Sequence, residues 1–477
     1  MPVHGLRKDP RRGAPRGREG GNVVSAGTPL AIEGCAIATM DAAGREFASG
    51  HIVIEGDRIA EVGEGPAPAL PGARVVDGSG CLATPGLINC HHHLYQWLTR
   101  GLAQQSDLFE WLESLYPMWA CIDAELTLVA ASAGLAALAH SGCTTSADHH
   151  YVFPRGAPGV LEATIDAAET IGLRFHVTRG SMNLGRSAGG LPPDGIVEDD
   201  DHVLAATQQL IDEAHDPAPS SMLQVAVAPC SPFSVTRELM RSSAELARAN
   251  GVRLHTHLAE TSEEEHYCLE RFGVRPAEYL DDLGWLGDDV WLAHCVHLSA
   301  DEVARFGATG TGVAHCPSSN ARLGAGVAPV EMLHAAGAPV GLGADGAASN
   351  EAGELAPEMK GALFAARLRG GPSSLTPRDA LRLATTGGAR CLGRGPDIGS
   401  LESGKQADVA VWDLSGLGHS GIVDPIAALV LGPVGGVKHS FVGGRQIVED
   451  RALITADSDD LAVQLGAAAR RLVERCS

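Results

Sequence analysis

Two histidines one residue apart, His91 and His93, close an apolar run that begins at Leu82. Side chains alternate along an extended chain, so both imidazoles face the same way. Two neutral imidazoles side by side are half of a zinc or iron site. Later segments offer the remainder in order: His257 ends the run Arg253–His257, and Asp345 ends Val340–Asp345. Three imidazoles and one carboxylate partly neutralise a divalent cation and leave a position for water. Such a cation lowers the pKa of bound water from about 15.7 towards about 7. Asp345 can then accept the water's proton. His294 ends Val290–His294 and can hydrogen-bond the attacking oxygen, while Glu260, just beyond His257, can carry a proton to the substrate.

Elements must bring these residues together. From Leu82 onward, eight strand-like runs alternate with helical patterns: Leu82–Asn89, Thr144–Asp148, Arg174–Thr178, Leu223–Ala228, Arg253–His257, Val290–His294, Gly312–Cys316 and Val340–Asp345. Strand–helix alternation reads as a parallel sheet. Eight such units predict an α/β fold of the (β/α)₈ barrel type, with its chemistry at the C-terminal ends of the strands. The flanks instead show short alternating strands, with Glu55-Gly56-Asp57-Arg58 and Gly443-Gly444 as hairpin turns. Neither flank closes a sheet alone, so 27–84 and 396–455 are expected to form one composite β-sandwich domain beside a barrel over 85–395. A terminal helix is expected over 456–477. The Gly- and Pro-rich stretch Asn183–Asp201 follows a strand end and reads as a lid.

The chain has 477 residues, with 36 basic and 58 acidic side chains and a net charge of −22. That balance argues against nucleic acid or an anionic membrane as partner. The start runs the other way: Arg7, Lys8, Arg11, Arg12, Arg16 and Arg18 lie in a polar stretch, read as a disordered basic leader over 1–26 rather than a signal peptide. No apolar run is long enough to span a bilayer. Eleven cysteines without a Cys-x-x-Cys pair suit free thiols in a reducing cytoplasm. A homo-oligomer is compatible with this pattern.

Together the motifs Pro85-Gly86-Leu87-Ile88-Asn89-x-His91-x-His93, His257-x-x-Glu260, Ala293-His294-Cys295 and Ala344-Asp345-Gly346 resemble the amidohydrolase superfamily, in its deaminase and triazine-hydrolase branch. The resemblance runs from about Gly27 to Asp450. Within the branch, Asp148-His149-His150-Tyr151, Thr178-Arg179-Gly180-Ser181 and Ala228-Pro229-Cys230-Ser231-Pro232-Phe233 are most similar to 8-oxoguanine deaminases. It implies one zinc, less often iron, held by His91, His93, His257 and Asp345, with Glu260 and His294 moving protons. Binuclear members bridge their metals with a carboxylated lysine from mid-barrel, and no lysine lies between His93 and His257 here. Gln96 stands where guanine deaminases place a purine-reading glutamine. They also carry an arginine where this chain has Pro232, which argues against plain guanine. Arg179 is expected to meet a carbonyl or anionic edge of the substrate, with His149, Cys230 and Phe233 also in the pocket.

The leading expectation is hydrolytic deamination of an oxidised aminopurine, 8-oxoguanine to urate and ammonia. Guanine, isoxanthopterin and amino- or chlorotriazines are alternatives for the same site, and a catalytically silent binding barrel is the reading from another class. Blander roles are expected for several neighbours. His92 should point away from the metal. His297 competes with His294 for the proton-transfer role, with strand alternation and the family motif favouring His294; His315 is read as a supporting residue, Trp97, Trp111 and Trp119 as helix packing, and Glu263–Glu265 as a solvated face.

Overall fold

The computed structural model describes residues 29–476. The leader read over 1–26 lies outside the described residues. Eight parallel strands close into a barrel: Leu87–Asn89, Cys143–His150, Arg174–Ser181, Leu223–Pro229, Arg253–Leu258, Val290–His294, Gly312–His315 and Val340–Leu342. They are called the first to eighth barrel strands below. Each strand is buried over most or all of its length, as parallel strands covered by helices on their outer face require. Helices such as Ala124–His140, Val160–Ile171 and Arg237–Asn250 form that cover.

The run read as one strand over Leu82–Asn89 is two. Cys81–Pro85 belongs to the flanking sheet and Leu87–Asn89 to the barrel. The break falls at Gly86, where an added Cβ would lie 2.1 Å from Thr144 Oγ1. Only glycine lets the chain pass that close to the second strand while changing sheets.

The flanks combine into one nine-stranded sheet. Cys81–Pro85 pairs antiparallel with Val409–Asp413, the join between the N- and C-terminal parts. Ile32, Ile52, Ile54 and Ile59 share a separate core with Val409, Val411 and Phe441, so the two halves bury apolar faces against each other. The sheet is fastened to the barrel by Arg174 at the start of the third strand. Its guanidinium donates to both Asp408 oxygens, at 2.7 and 3.1 Å, and the pair is fully buried. Removing one partner of such a pair typically costs about 3–5 kcal/mol.

One of the segments that carry an extra helix bears on the site. Between the first and second barrel strands there are two helices, Leu108–Trp119 and Ala124–His140. The second packs on the barrel as a normal crossover. The first starts at Asp107, whose carboxylate caps the Glu110 N–H at 3.0 Å. It covers the mouth of the barrel.

Candidate active site

His91 and His93 follow directly on the first strand, and both are buried. His93 Nδ1 lies 2.7 Å from the His149 carbonyl oxygen, and His257 Nδ1 lies 2.6 Å from that of Cys230. A carbonyl only accepts, so each Nδ1 carries the proton. Burial lowers both imidazoles below their ordinary pKa and keeps them neutral. Each Nε2 is therefore a bare lone pair. His93 Nε2 and His257 Nε2 face each other at 3.1 Å. Two lone pairs at that distance repel unless a cation lies with them.

His91 reaches the same state through a relay. Its Nδ1 is 2.8 Å from His255 Nε2, and His255 Nδ1 is 2.8 Å from the Trp291 carbonyl. The carbonyl fixes the His255 proton on Nδ1, so His255 Nε2 accepts from His91 Nδ1–H. Burial pushes His255 down to about 3, which keeps it neutral. His91 Nε2 is left without a hydrogen-bond partner, 3.4 Å from Asp345 Oδ1. His93 Nε2 lies 3.3 Å from the same oxygen. Three bare imidazole nitrogens and a buried carboxylate in contact suit a divalent cation such as zinc. His255 stood in the same Leu254–Leu258 stretch as His257, but strand alternation alone gives no role to its inward neighbour. We expect His255→Ala to lower metal affinity by about 10- to 100-fold, the usual effect of losing such an outer partner. Chelator competition measures this, and an unchanged affinity would remove His255 from the relay.

His149 departs from its expected place. Its Nε2 donates to the Ala228 carbonyl at 2.8 Å, and its Nδ1 is buried without a partner. Its ring stacks on His257 with centroids 4.7 Å apart. It is absent from the cavity lining and instead joins His91, His93 and His257, their ligand atoms all within 4.8 Å of one another. His91, His294 and Asp345 form a second such group.

His294 and Glu260 flank this centre. His294 Nδ1 lies 2.9 Å from Asn320 Oδ1, which aims Nε2 inward, 3.6 Å from Glu260 and 3.8 Å from Asp345. Burial alone would lower the His294 imidazole, but the Glu260 and Asp345 carboxylates hold it above its ordinary value. Burial pushes the Glu260 carboxyl up to about 7, with His294 pulling against it. Glu260 itself is held by Glu264, whose two oxygens accept the Ala259 and Glu260 N–H groups, each at 2.9 Å. Glu264 was expected on a solvated face and is instead fully buried. The backbone is strained at these points. Ala259, His294, Cys295 and Asp345 take φ of 49°, 68°, 50° and 61°, a region that costs non-glycine residues about 1–3 kcal/mol each.

Above the centre lies a cavity lined by His93, His257, Glu260, His294 and Asp345 below and by Leu108, Trp111, Leu112 and Tyr116 of the covering helix above. Gln96, Cys230 and Phe233 line it too. Gln96 is fully buried, and both its amide atoms lack partners. Arg179 is not in the lining. Its guanidinium makes two 2.8 Å bonds to Glu198, donates to the Gly180 carbonyl at 2.6 Å, and lies 4.0 Å over the Phe153 ring. That side chain is spent on fastening the Asn183–Asp201 stretch. The stretch itself contributes nothing to the lining, so the cover is the helix Leu108–Trp119 and not the expected lid. Trp111 belongs to the cavity wall rather than to helix packing alone. His92 points away as expected, its Nδ1 accepting from the His93 N–H at 2.7 Å. His297 is bound to the Ala325 carbonyl, away from the centre.

The arrangement has known counterparts. The chain is 48% identical to an 8-oxoguanine deaminase of Pseudomonas aeruginosa, over 89% of this chain and 95% of that one. It is 38% identical to a hydroxydechloroatrazine ethylaminohydrolase of a Pseudomonas species, over 84% and 85% of the two chains. Its fold superposes on the crystal structure of an atrazine chlorohydrolase from Arthrobacter aurescens complexed with zinc, with a TM-score of 0.88, 35% identity, and 92% of this chain and all of that one covered. The signature of the amidohydrolase family matches residues 82–447. With three imidazole lone pairs and a carboxylate converging at the mouth of an eight-stranded barrel, the chain belongs to the amidohydrolase family.

Proposed function

We propose that this protein is a metal-dependent deaminase that converts 8-oxoguanine and water to urate and ammonia. The observation that carries the reading is the convergence of bare His91, His93 and His257 nitrogens on Asp345, beside Glu260 and His294 and under a cavity containing an unpartnered glutamine amide. The 8-oxoguanine deaminase relative supports the substrate. His91, His93, His257 and Asp345 hold the cation in this reading. Bound there, it supplies the acidity that makes water a nucleophile at neutral pH.

The chain's own groups do the rest. Asp345 takes a proton from the attacking water. His294, fixed by Asn320, donates a hydrogen bond to the attacking oxygen. Glu260 gives a proton to the ring nitrogen next to the amino-bearing carbon, which lets that carbon accept the oxygen. The proton held by Asp345 then passes to the amino group, the C–N bond breaks and ammonia leaves, while the added oxygen gives its remaining proton back to Glu260 and becomes the carbonyl. The covering helix excludes bulk water from these transfers, which strengthens every charge interaction beneath it. Free thiols throughout the described residues support a reducing, cytoplasmic setting.

A triazine hydrolase is the second reading, favoured by the zinc-bound atrazine chlorohydrolase fold. A site of this kind attacks any electron-poor ring carbon. Ammonia release from 8-oxoguanine, guanine, isoxanthopterin and an aminotriazine separates the two. The highest kcat/KM is expected on 8-oxoguanine. Turnover confined to the triazine would replace the first reading by the second.

A further inference from the structure

Tyr116 is a polar group that this mechanism does not use. It lies on the covering helix, is fully buried and lines the cavity, and its hydroxyl has no oxygen or nitrogen partner, only the weakly bonding thiol of Cys230 beside it. Its ring is fixed edge-on against Trp119, with centroids 5.6 Å apart, and Trp119 is held in turn by Tyr95 at 5.3 Å. A phenol locked in place with only a thiol beside it is costly, because a weak sulfur partner does not replace the hydration a buried donor loses. The cost is recovered when a ligand supplies the acceptor.

The unpartnered groups fall at two opposed places. Gln96 packs against Gly346, where an added Cβ would meet Gln96 Oε1 at 1.8 Å, and Gly346 follows the eighth barrel strand. The Tyr116 hydroxyl neighbours the thiol of Cys230, which follows the fourth. In a closed ring of eight strands the fourth and eighth stand opposite each other. Trp111, Leu112 and Phe233 also line the cavity and offer no charge. A flat ring system with a polar edge at each end would satisfy both places. Arg179, the side chain expected to read such an edge, is occupied by Glu198.

We propose that Tyr116 is a specificity-determining residue whose hydroxyl donates to an exocyclic carbonyl of the substrate on the fourth-strand side, selecting an 8-oxopurine over its 8-unsubstituted counterpart. This rests on the deaminase reading above. A site built around such a bond discriminates because the analogue lacking the carbonyl strands the hydroxyl. Tyr116→Phe keeps the ring and its packing and removes only the donor.

The test compares parent and Tyr116→Phe in kcat/KM on 8-oxoguanine and guanine, in metal content, and in equilibrium binding of urate, which retains the 8-oxo carbonyl. On 8-oxoguanine the variant should lose about 5- to 100-fold, chiefly in KM, and urate affinity should fall with it. Guanine turnover should change less than about twofold and metal content not at all. Equal losses on both purines, or no loss on either, would overturn the role of Tyr116. A parent that neither turns over 8-oxoguanine nor binds urate would overturn the deaminase reading and this inference with it.

Discussion

His257→Ala should purify as a folded protein with little or no metal and no measurable turnover, where the parent carries one divalent cation per chain. The reason lies in how His257 is prepared. Its Nδ1 proton is pinned by the Cys230 carbonyl at 2.6 Å, and its lone pair is set 3.1 Å from that of His93. Alanine removes a donor atom outright. The loss should therefore exceed the roughly 10- to 100-fold in affinity that follows from deleting an outer partner. Elemental analysis of parent and variant after the same dialysis decides the matter. A variant that keeps full metal would show that another imidazole completes the site. His149, stacked on His257 with a bare Nδ1, would be the one to replace next. Two metals per parent chain would also defeat the assignment.

Glu260→Gln should keep the metal and the fold yet lose about 10²- to 10⁴-fold in kcat. The carboxyl sits 3.6 Å from His294 and burial raises it towards the protonated form that can give a proton to the substrate. An amide of the same shape neither accepts nor releases that proton. Its backbone N–H is still received by Glu264, so the turn is left in place. Metal content and thermal stability serve as controls, and single-turnover rates on 8-oxoguanine give the effect. A rate within a few-fold of the parent would mean that Glu260 is not the proton carrier.

The barrel was legible because strand alternation and helix spacing are local and periodic. Six of the eight strand-like runs begin where barrel strands begin, from Arg174 through Val340. The residues gathered at the mouth were legible for a related reason, since a strand that ends in His or Asp advertises itself. What was not legible depends on partners far away in the chain. Arg179 ends its strand as a substrate-reading residue would, and nothing local reveals that Glu198 claims it. Glu264 sits in an acidic triplet, and its burial follows from the left-handed turn at Ala259 that it must satisfy. The helix Leu108–Trp119 was not legible as a cover either. The segment between Asn89 and Cys143 holds two helices, but so do those between Leu258 and Val290 and between His315 and Val340, so a second helix does not by itself mark the cover.

The join between the two flanks sets a timetable for the ribosome. Trp412 Nε1–H reaches Thr84 Oγ1 across 328 residues of chain. At a synthesis rate of about 5–20 residues per second, Cys81–Pro85 waits roughly 15 to 65 seconds for its neighbour Val409–Asp413 to emerge. Throughout that interval the nascent chain presents an apolar strand with an open edge, the sort of surface that recruits another copy of itself. Non-local closure is slow once the chain is free as well, since loop entropy must be overcome before any contact rewards it. The last sheet strands to be made are thus the ones that cover Cys81–Pro85, and a chain released early would carry most of a barrel with that edge still bare.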